Sequence, residues 1–456
     1  MAISTPHIGD TLSESGLQVS ELAGIDDLLR LHSLRPTRYP FLLESAAHGT
    51  PQGRYDILFA FPGRCLRARP ESDFLSELDA HWLRERRAPN PHDVRWPFRG
   101  GWFVYLGYEL AGQVEPVLRL EAFPGVPMAF ACRVPSAVIR DRASGNCVLV
   151  QEKGAGIDPA LVIADIENCG AIDDNRKLLA GDLKEAPAEA YLRAVERARE
   201  YIRAGDVFQA NLARHWEAEL LAGVRGAELY RRLRVSNPGP FCGLAEWDDW
   251  SVVSSSPERL LRIEAGRVET RPIAGTRPRG LHAAGDRALS RELISHPKER
   301  AEHVMLIDLE RNDLGRICVP GSVEVDEMMV IESYAHVHHI VSNVRGSLRA
   351  GVKPGEAIRA VFPGGTITGC PKVRCMEIIS ELEAAPRGPY TGSMGYLNLD
   401  GSLDLNILIR TLVRRGRRLG FSAGAGIVAD SVAELELAET RAKAEGLVRA
   451  LSEGDS

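Results

Sequence analysis

Arg271-Pro-Ile-Ala-Gly-Thr-Arg-Pro-Arg-Gly280 is neither an ordinary core strand nor an ordinary helix. Its two prolines fix φ and remove two backbone donors, and its two glycines permit conformations that other residues avoid. The segment also carries three arginines beside the hydroxyl of Thr276. A rigid cationic segment suits an anionic ligand, since guanidinium groups pair carboxylates or phosphates bidentately. A basic surface turn would have the same composition, so the role of the segment depends on the rest of the chain.

The chain has 456 residues, which exceeds the usual size of a single core and predicts two domains or one large composite fold. Its hydrophobic content of 44% and charged content of 26% are typical of a soluble globular protein. A net charge of −6 gives no general attraction to nucleic acid or to anionic membranes. The absence of a long apolar run and of a secretory signal at Met1–Ser15 favours a cytoplasmic protein.

The eight cysteines are scattered, and none forms a Cys-x-x-Cys pair. Most lie in apolar surroundings, which predicts buried reduced thiols rather than zinc ligands or disulfides.

The residue pattern predicts a β-rich first part. After a polar, loosely ordered lead-in over residues 1–35, strands are expected at 41–45, 54–61, 100–108, and 128–140 paired with 146–151, with a helix at 72–87. Residues 152–187 lose periodicity, which predicts a boundary between segments 1–155 and 185–452. A helix then begins near Pro187 and ends at Gly205, and a strand follows it.

Two Glu-x-x-Glu pairs on predicted helices are candidate metal ligands. Glu299 and Glu302 form the first pair, and Glu436 and Glu439 form the second. Positions i and i+3 share a helix face, so two such faces could surround one hard cation with oxygen ligands, as Mg²⁺ prefers. Acidic pairs that only keep a helix soluble would have the same pattern.

Two glycine-rich segments accompany these pairs. Residues 362–379 combine glycines with Thr366, Thr368 and Lys372 at a helix start, which predicts an anion cradle. Residues 422–430 form the second segment. Arg410 interrupts an apolar strand, and a charge there requires a carboxylate partner from the protein or a ligand.

Three histidines lie in the β-like segment 334–342. Alternation places His336 and His338 on one face and His339 on the other. Without nearby cysteines, zinc binding there is disfavoured.

The motifs together resemble the chorismate-binding enzymes, which comprise the anthranilate, aminodeoxychorismate, isochorismate and salicylate synthases. The resemblance extends strongly over 187–450 and more loosely over 40–150, and it identifies 1–155 as an N-terminal β-rich subdomain and 185–452 as the chorismate-binding domain. It rests on motifs that occur in the family's order: Ser256-Pro-Glu258, Pro272–Arg279, Glu302-His303, Asp308–Asp313, His339–Ser342, Gly365–Lys372, Ile409-Arg-Thr411 and Gly424–Ser431.

The resemblance implies an α+β fold, a composite of antiparallel sheets packed as a sandwich with helices outside, and Mg²⁺-dependent chemistry on chorismate. Glu302 and Glu439 would be the main metal ligands, supported by Glu299 and Glu436. Glu258 would act as the acid near the departing 4-hydroxyl. The remaining implied residues are Gln209, Ala274, Thr276 and His339 near the chemistry, and Gly275, Thr366, Arg410, Gly424, Gly426 and Lys443 as substrate contacts.

The nucleophile implied by the resemblance is ammonia. Family members that use water have a lysine base where this chain has Gln209, and an amide cannot act as that base. No Gly-x-Cys-x-Gly glutaminase site occurs, so a separate glutamine amidotransferase subunit is implied.

Several short sequence motifs resemble the members that aminate C4, among them Gln209–Leu212 and Asn237–Phe241. They favour an aminodeoxychorismate synthase component I, which makes 4-amino-4-deoxychorismate for 4-aminobenzoate and folate synthesis. Ala274 and Thr366 instead resemble anthranilate synthase component I, which aminates C2, releases pyruvate and serves tryptophan synthesis. C4 enzymes with a lysine at the position of Ala274 form a covalent adduct that alanine cannot form.

A bound tryptophan is also expected from the resemblance. Leu43, Glu44 and Ser45 match a tryptophan-binding motif, and Asn237, Pro238 and Phe241 would complete that site.

Overall fold

The computed structural model describes residues 15–46, 53–172, 176–280, 282–334 and 337–452. Within these ranges the chain folds into two antiparallel sheets with helices on their outer faces. The strands are β1 Leu17–Leu22, β2 Phe41–Glu44, β3 Tyr55–Ala60, β4 Cys65–Arg67, β5 Gly101–Leu106, β6 Ala129–Val134, β7 Ser136–Asp141, β8 Cys147–Glu152, β9 Lys184–Glu185, β10 Gln209–Glu219, β11 Phe241–Trp247, β12 Trp250–Ser256, β13 Arg259–Glu264, β14 Arg267–Arg271, β15 Ile273–Pro278, β16 Glu324–Ser333, β17 Val337–Ser347, β18 Gly369–Cys370, β19 Ser393–Asn398, β20 Leu403–Asn406, β21 Thr411–Arg415 and β22 Arg418–Ile427.

The helices of the described residues lie between these strands and after them. They are α1 Leu29–Leu34, α2 Phe74–Glu85, α3 Ala111–Val114, α4 Pro159–Asn168, α5 Ala188–Ala204, α6 Gly226–Ser236, α7 Ala283–Ser295, α8 Pro297–Gly315, α9 Pro354–Val361, α10 Lys372–Leu382 and α11 Ala433–Ser452. The helix predicted after Pro187 is α5, and Gly205 ends it with a φ of 84°. None of the described helices is both long and apolar enough to span a membrane.

The first sheet has twelve strands in the order β1-β8-β7-β3-β2-β11-β12-β21-β22-β10-β18, with β9 paired to β10. The second sheet has ten strands in the order β15-β17-β14-β13-β20-β19-β5-β6-β4, with β16 paired to β17. Both sheets combine strands from 1–155 with strands from 185–452, so these two segments fold onto one another. The division into two domains stays a prediction.

The sheets pack face to face through an aromatic core. Alternate residues of a strand point to opposite faces, so Phe41 points inward while Leu42 points toward the helices. The ring of Phe41 from the first sheet stacks on Phe103 from the second, with centroids 4.0 Å apart. Helices α1, α6 and α11 cover the first sheet, and α2, α8 and α9 cover the second. The predicted α+β sandwich with outer helices is therefore confirmed.

Pro135 divides what the sequence predicted as one strand over 128–140. The strand before it, β6, pairs with β5 in the second sheet, whereas β7 pairs with β3 and β8 in the first. Proline cannot donate to a ladder, so the chain leaves one sheet there and enters the other. The predicted pairing with 146–151 is correct for β7 and wrong for β6.

Two further expectations were wrong. Residues 17–34 are ordered as β1 and α1, because Leu28, Leu29 and Leu31 bury their side chains against the first sheet. Cys65 and Cys132 are joined as a disulfide, because the register of β4 with β6 places them opposite one another with Cα atoms 4.1 Å apart. The other six cysteines are free, and five of them are buried, as predicted.

Candidate functional site

Gln209, Glu302 and Gly426 meet at one end of β10. The Gln209 side-chain amide donates to Glu302 Oε1 over 3.1 Å. Gly426 on the neighbouring strand β22 makes room for this contact, because a Cβ there would lie 2.4 Å from Gln209 Nε2. The register of β10 with β22 and the helix α8 therefore bring together three residues that are far apart in the sequence.

The predicted acidic pairs lie on α8 and α11. Burial raises the pKa of Glu302, and the negative charges of Glu299 and Glu439 raise it further. Arg277 donates to Glu299 over 3.1 Å, and Lys443 pairs with Glu439 over 2.7 Å. Glu436 is buried beside Tyr191. In the described part of the chain, no three Asp, Glu, His or Cys side chains converge closely enough to hold a metal ion.

Glu258 is a buried acid in the interior of the site. Burial raises the pKa of Glu258 to about 8, and although the Thr366 hydroxyl lowers it, the charge of Glu310 raises it again. The backbone N–H of Ile273 points at its carboxylate over 3.4 Å. Glu258 is therefore largely protonated at neutral pH and can donate a proton.

Thr276 and His339 face each other across β15 and β17, with Oγ1 and Nδ1 2.9 Å apart. The register shifts at Gly275, whose φ of 82° suits glycine and whose missing Cβ leaves room for Glu299. Burial and the positive charge of Arg410 lower the pKa of His339 to about 3. Its imidazole is therefore neutral and can donate or accept a hydrogen bond without carrying charge.

The opening segment differs from its prediction. Residues 273–278 form the strand β15, which is irregular at Gly275, and the three arginines are bound by protein carboxylates rather than left for a ligand. Arg271 pairs with Glu327 and Glu332, Arg277 with Glu292 and Glu299, and Arg279 with Asp286. Acidic side chains on α7, α8 and β16 supply these partners, and their approach could not be inferred from spacing. Of the segment predicted to bind an anion, only Ala274–Thr276 lies near the acidic pairs and Glu258.

Arg410 and Lys443 supply positive charge on the opposite wall. Arg410 has a φ of 54°, and its guanidinium donates to the Lys443 carbonyl over 2.7 Å. Burial lowers the pKa of Arg410. No carboxylate of the described residues forms an ion pair with it, although the charge of Glu439 opposes the fall in its pKa. Lys443 also donates to the Gly424 carbonyl over 3.0 Å.

Two neighbouring residues escaped the sequence analysis. A Cβ at Gly424 would lie 2.7 Å from Asn211 Oδ1 and 2.8 Å from the Tyr390 hydroxyl, so both side chains reach this wall. The acceptors Gln209 Oε1 and Asn211 Oδ1 are buried without hydrogen-bond partners, and the Thr366 hydroxyl lies beside the Glu258 carboxyl, whose pKa it lowers. The Arg387-Gly-Pro-Tyr390 turn, which sets a charge and an aromatic beside two turn residues, was the available signal for Tyr390. We call the following residues the central site: Gln209, Asn211, Thr366, Tyr390, Glu258, Thr276, Glu302, His339, Arg410 and Lys443.

The other predicted anion cradle is not free. Lys372 at the start of α10 pairs with the buried Asp313 and donates to the Val361 carbonyl over 3.1 Å. Thr368 donates to the Gly364 carbonyl over 2.9 Å. His338 faces Ser333 and Asp286, and His336 lies outside the described residues. Of this loop, Thr366 is the residue whose hydroxyl reaches Glu258 in the site.

The predicted tryptophan residues lie in a second region, the β2–β11 cluster, which comprises 43–45 and 237–241. Pairing of β2 with β11 brings them together. Arg234 binds Glu44 over 3.1 Å and also pairs with Asp27. The Asn237 amide donates to Ser255 Oγ over 3.0 Å, and the guanidinium of Arg259 lies 4.9 Å from the Phe241 ring. Tryptophan binding stays a prediction.

A cleft of about 1020 Å³ opens on the inner face of β10, β21 and β22. Arg387, Tyr390, His215, Ser422 and Val413 are among the residues that line it. Asn211 and His215 lie on the same face of β10, so the cleft continues along the face that carries the central site.

Comparison with known proteins assigns the chain to a family. The family described as chorismate binding enzyme matches residues 39–449. Aminodeoxychorismate synthase component 1 of Bacillus subtilis is 50% identical over 382 residues, covering 81% of this chain and 80% of the relative. Anthranilate synthase component 1 of Thermus thermophilus is 49% identical over 430 residues, covering 90% of this chain and 92% of the relative.

A solved structure agrees with these relatives. Anthranilate synthase component I of Streptococcus pneumoniae superposes with a TM-score of 0.76 at 31% identity, covering 88% of this chain and 93% of that chain. The two relatives differ in name at nearly equal identity, so they support the family and not one member. The chain belongs to the chorismate-binding enzymes and is an enzyme that acts on chorismate.

Proposed function

We propose that the chain is component I of an aminodeoxychorismate synthase, which aminates chorismate at C4 with ammonia from a separate glutamine amidotransferase subunit and with Mg²⁺ as cofactor. The observation that carries the amination is Gln209, whose amide lies 3.1 Å from Glu302 at the site. An amide cannot remove a proton from water, whereas ammonia is already a nucleophile without a base. The residues Gln209–Leu212 and Asn237–Phe241, which resemble the members that aminate C4, support C4 over C2.

Glu258 is the proton donor in this proposal. Its carboxyl is buried and largely protonated at neutral pH, because burial raises its pKa to about 8. Loss of the 4-hydroxyl of chorismate requires a proton on the departing oxygen, and a neutral acid in a dry site supplies one. The neutral imidazole of His339, oriented by Thr276, adds a hydrogen bond without repelling Arg410.

The carboxylates of chorismate fit the cationic wall. Arg410 lacks a carboxylate partner among the described residues, and a dicarboxylate would provide one. The unpartnered acceptors of Gln209 and Asn211 match the hydroxyl and amine hydrogens of substrate and nucleophile. The missing Cβ atoms at Gly424 and Gly426 let the side chains of Asn211, Tyr390 and Gln209 reach this wall.

The residues suit a magnesium ion, although they do not close around one. Glu299 and Glu439 raise the pKa of Glu302, and a divalent cation between these carboxylates would relieve that repulsion. Glu302 and Glu439 would hold the ion, supported by Glu299 and Glu436. When bound, Mg²⁺ supplies Lewis-acid polarisation of the substrate. Calorimetry should show Mg²⁺ binding to the wild type in the presence of chorismate and a large loss of it in Glu302→Gln.

The amidotransferase partner follows from the missing glutaminase site in this chain. Three exposed apolar residues lie close in sequence to residues of the site: Phe208 precedes Gln209, and Val432 and Leu435 precede Glu436 and Glu439. An exposed apolar surface beside the site supports a partner that binds there. The purified chain should therefore use ammonium but not glutamine. Activity with glutamine alone would contradict a separate partner.

Amination at C2, the anthranilate synthase reaction, is the second candidate. Ala274 on β15 favours it, because alanine cannot form the covalent adduct that directs ammonia to C4 in lysine-containing members. Under the C4 proposal, ammonia displaces the 4-hydroxyl without an enzyme adduct.

Incubation with chorismate, Mg²⁺ and ammonium, followed by identification of the product, separates the two candidates. The C4 proposal predicts 4-amino-4-deoxychorismate without pyruvate release. Anthranilate together with pyruvate would overturn it. Ala274→Lys should shift the product further toward C4, and an unchanged product would show that this position does not control regiochemistry.

A further inference from the structure

Arg387, in the loop between α10 and β19, is buried with its whole guanidinium bonded. The residue is 5% exposed. Each of its five N–H groups has one acceptor: Nε donates to Glu383 Oε2 over 2.9 Å, Nη2 to Glu383 Oε1 over 2.6 Å and to the Asn211 carbonyl over 2.7 Å, and Nη1 to the Ile367 carbonyl over 2.9 Å and to Thr391 Oγ1 over 3.3 Å.

The acceptors belong to separate walls of the central site. Asn211 lies on β10 two residues after Gln209, and Ile367 follows Thr366 in the glycine-rich turn. Glu383 also accepts from the Ala213 N–H over 2.8 Å, so the ion pair is fastened to β10 at two points. One side chain therefore fixes β10 and the Thr366 turn relative to each other, with the directional geometry of a fork.

Arg387 also holds Tyr390. Its guanidinium lies 5.6 Å from the Tyr390 ring and 4.9 Å from the Tyr108 ring. The Tyr390 hydroxyl reaches the wall at Gly424, and Arg387 and Tyr390 both also line the cleft. The two side chains therefore contact the cleft as well as the walls of the central site, and we call this pair the partition.

We propose that Arg387 is a positioning residue whose partition keeps cleft water out of the central site and so selects ammonia as the nucleophile. The inference rests on the proposed amination. Ammonia attack forms a C–N bond and breaks the C4–O bond, and the proton lost by nitrogen balances the one taken up by the departing hydroxide. Water attack at C2 breaks the same C4–O bond and forms a C–O bond, giving a hydroxylated isomer of chorismate with no oxidant required.

The requirement is strict because water is in large molar excess over ammonia. Gln209 cannot act as a base that activates water. Excluding water from the central site goes further, because it removes the molecule that competes with ammonia. All five N–H groups of Arg387 already have acceptors, so a water entering from the cleft finds no free donor on this guanidinium.

The test is the ratio of aminated to hydroxylated product at fixed ammonium in the full-length chain. The test variant is Arg387→Met with Glu383→Gln, which removes both charges and leaves neither one buried alone. Arg387→Lys keeps the ion pair but gives up the fork. Arg418→Met is the matched control, because Arg418 lines the same cleft, exposed and away from the partition.

The hydroxylated share of the product should rise by about tenfold in the double variant and by less in Arg387→Lys. The KM for ammonium should rise in both variants. Small displacements of the walls of a site have effects of this size. Arg418→Met should keep the wild-type ratio. Variants that unfold cooperatively and bind chorismate, yet keep the wild-type ratio and KM for ammonium, would overturn the inference. Arg387→Lys carries the test if the double variant does not fold. A wild type that leaves chorismate unchanged would refute the proposed function instead.

Discussion

The central site and the β2–β11 cluster are both polar regions built on the first sheet, but they differ in how their groups are satisfied. In the central site, Gln209 and Asn211 carry buried acceptors without partners, and Arg410 forms no ion pair with a carboxylate of the described residues. In the β2–β11 cluster, Glu44 is bound by Arg234 and Asn237 by Ser255. Unpartnered buried groups cost stability, so a fold keeps them where a ligand pairs them. The difference separates a site prepared for a ligand from one whose polar groups are already occupied.

The largest expected effect is at Glu258 in the central site. Glu258→Gln should lower turnover of chorismate with ammonium by about 10²–10⁴-fold, because the amide cannot donate a proton. Since burial raises the Glu258 pKa to about 8, wild-type activity should fall as pH rises through about 8. Glu310→Gln, as a control, should keep its turnover at neutral pH. In Glu310→Gln, activity should start to fall at a lower pH than in the wild type, because the charge of Glu310 raises the Glu258 pKa.

The same substitution tests the stability of the unliganded site. Between the ordinary glutamate pKa of 4.5 and about 8, the folded protein holds a proton that the unfolded chain has lost, so Glu258 lowers stability as pH rises. Thermal unfolding should show that the unfolding temperature of Glu258→Gln exceeds that of the wild type by more at pH 8 than at pH 5. Equal gains at both pH values would mean that Glu258 is not buried as an acid.

The β2–β11 cluster should respond in stability instead of chemistry. Arg234→Met leaves Asp27 and Glu44 without their shared cation, which should cost about 3–5 kcal/mol in the free energy of unfolding. The rate per folded molecule should stay close to the wild-type value. Arg311→Met breaks an exposed pair with Asp308 and should cost no more than about 1 kcal/mol. Similar costs for the two variants would mean that Glu44 is not held by Arg234 and can bind a ligand ammonium.

The smallest effect distinguishes two threonines of one loop. Thr366→Val removes the hydroxyl beside Glu258, so chorismate binding should weaken by roughly 0.5–1.5 kcal/mol and the pKa of Glu258 should rise, while the unfolding temperature changes little. Thr368→Val removes a hydroxyl that donates to Gly364, so it should lower stability and leave binding unchanged. Calorimetry and thermal unfolding of both variants measure the contrast. Weaker stability without weaker binding in Thr366→Val would remove this residue from the central site.

Local patterns predicted much of the fold, because periodicity and turn residues act over short distances. Helix α5, between Pro187 and Gly205, and the apolar strand β5 followed from such patterns. The division of 128–140 between two sheets did not, because Pro135 marks a break without stating which sheet each half joins. The disulfide was missed for the same reason, since only the register of β4 with β6 places Cys65 opposite Cys132.

The candidate site was predicted from single residues more accurately than from groups. Gln209, Glu302 and Gly426 converge, and Thr276 meets His339. The arginines of 271–279 and Lys372 looked available for anions, but carboxylates from distant helices and strands occupy them. Charge type can be inferred from sequence, whereas charge pairing depends on tertiary contacts.

The pairing of β5 with β19 affects how the chain is made. Residues 101–106 gain their second neighbour only when residues 393–398 emerge. At typical synthesis rates this interval lasts roughly 15 to 60 seconds, during which one edge of an apolar strand stays open. Open edges of this kind recruit other chains into aggregates. The nascent protein must therefore be protected through that interval, and a fragment that ends at residue 155 would never leave it.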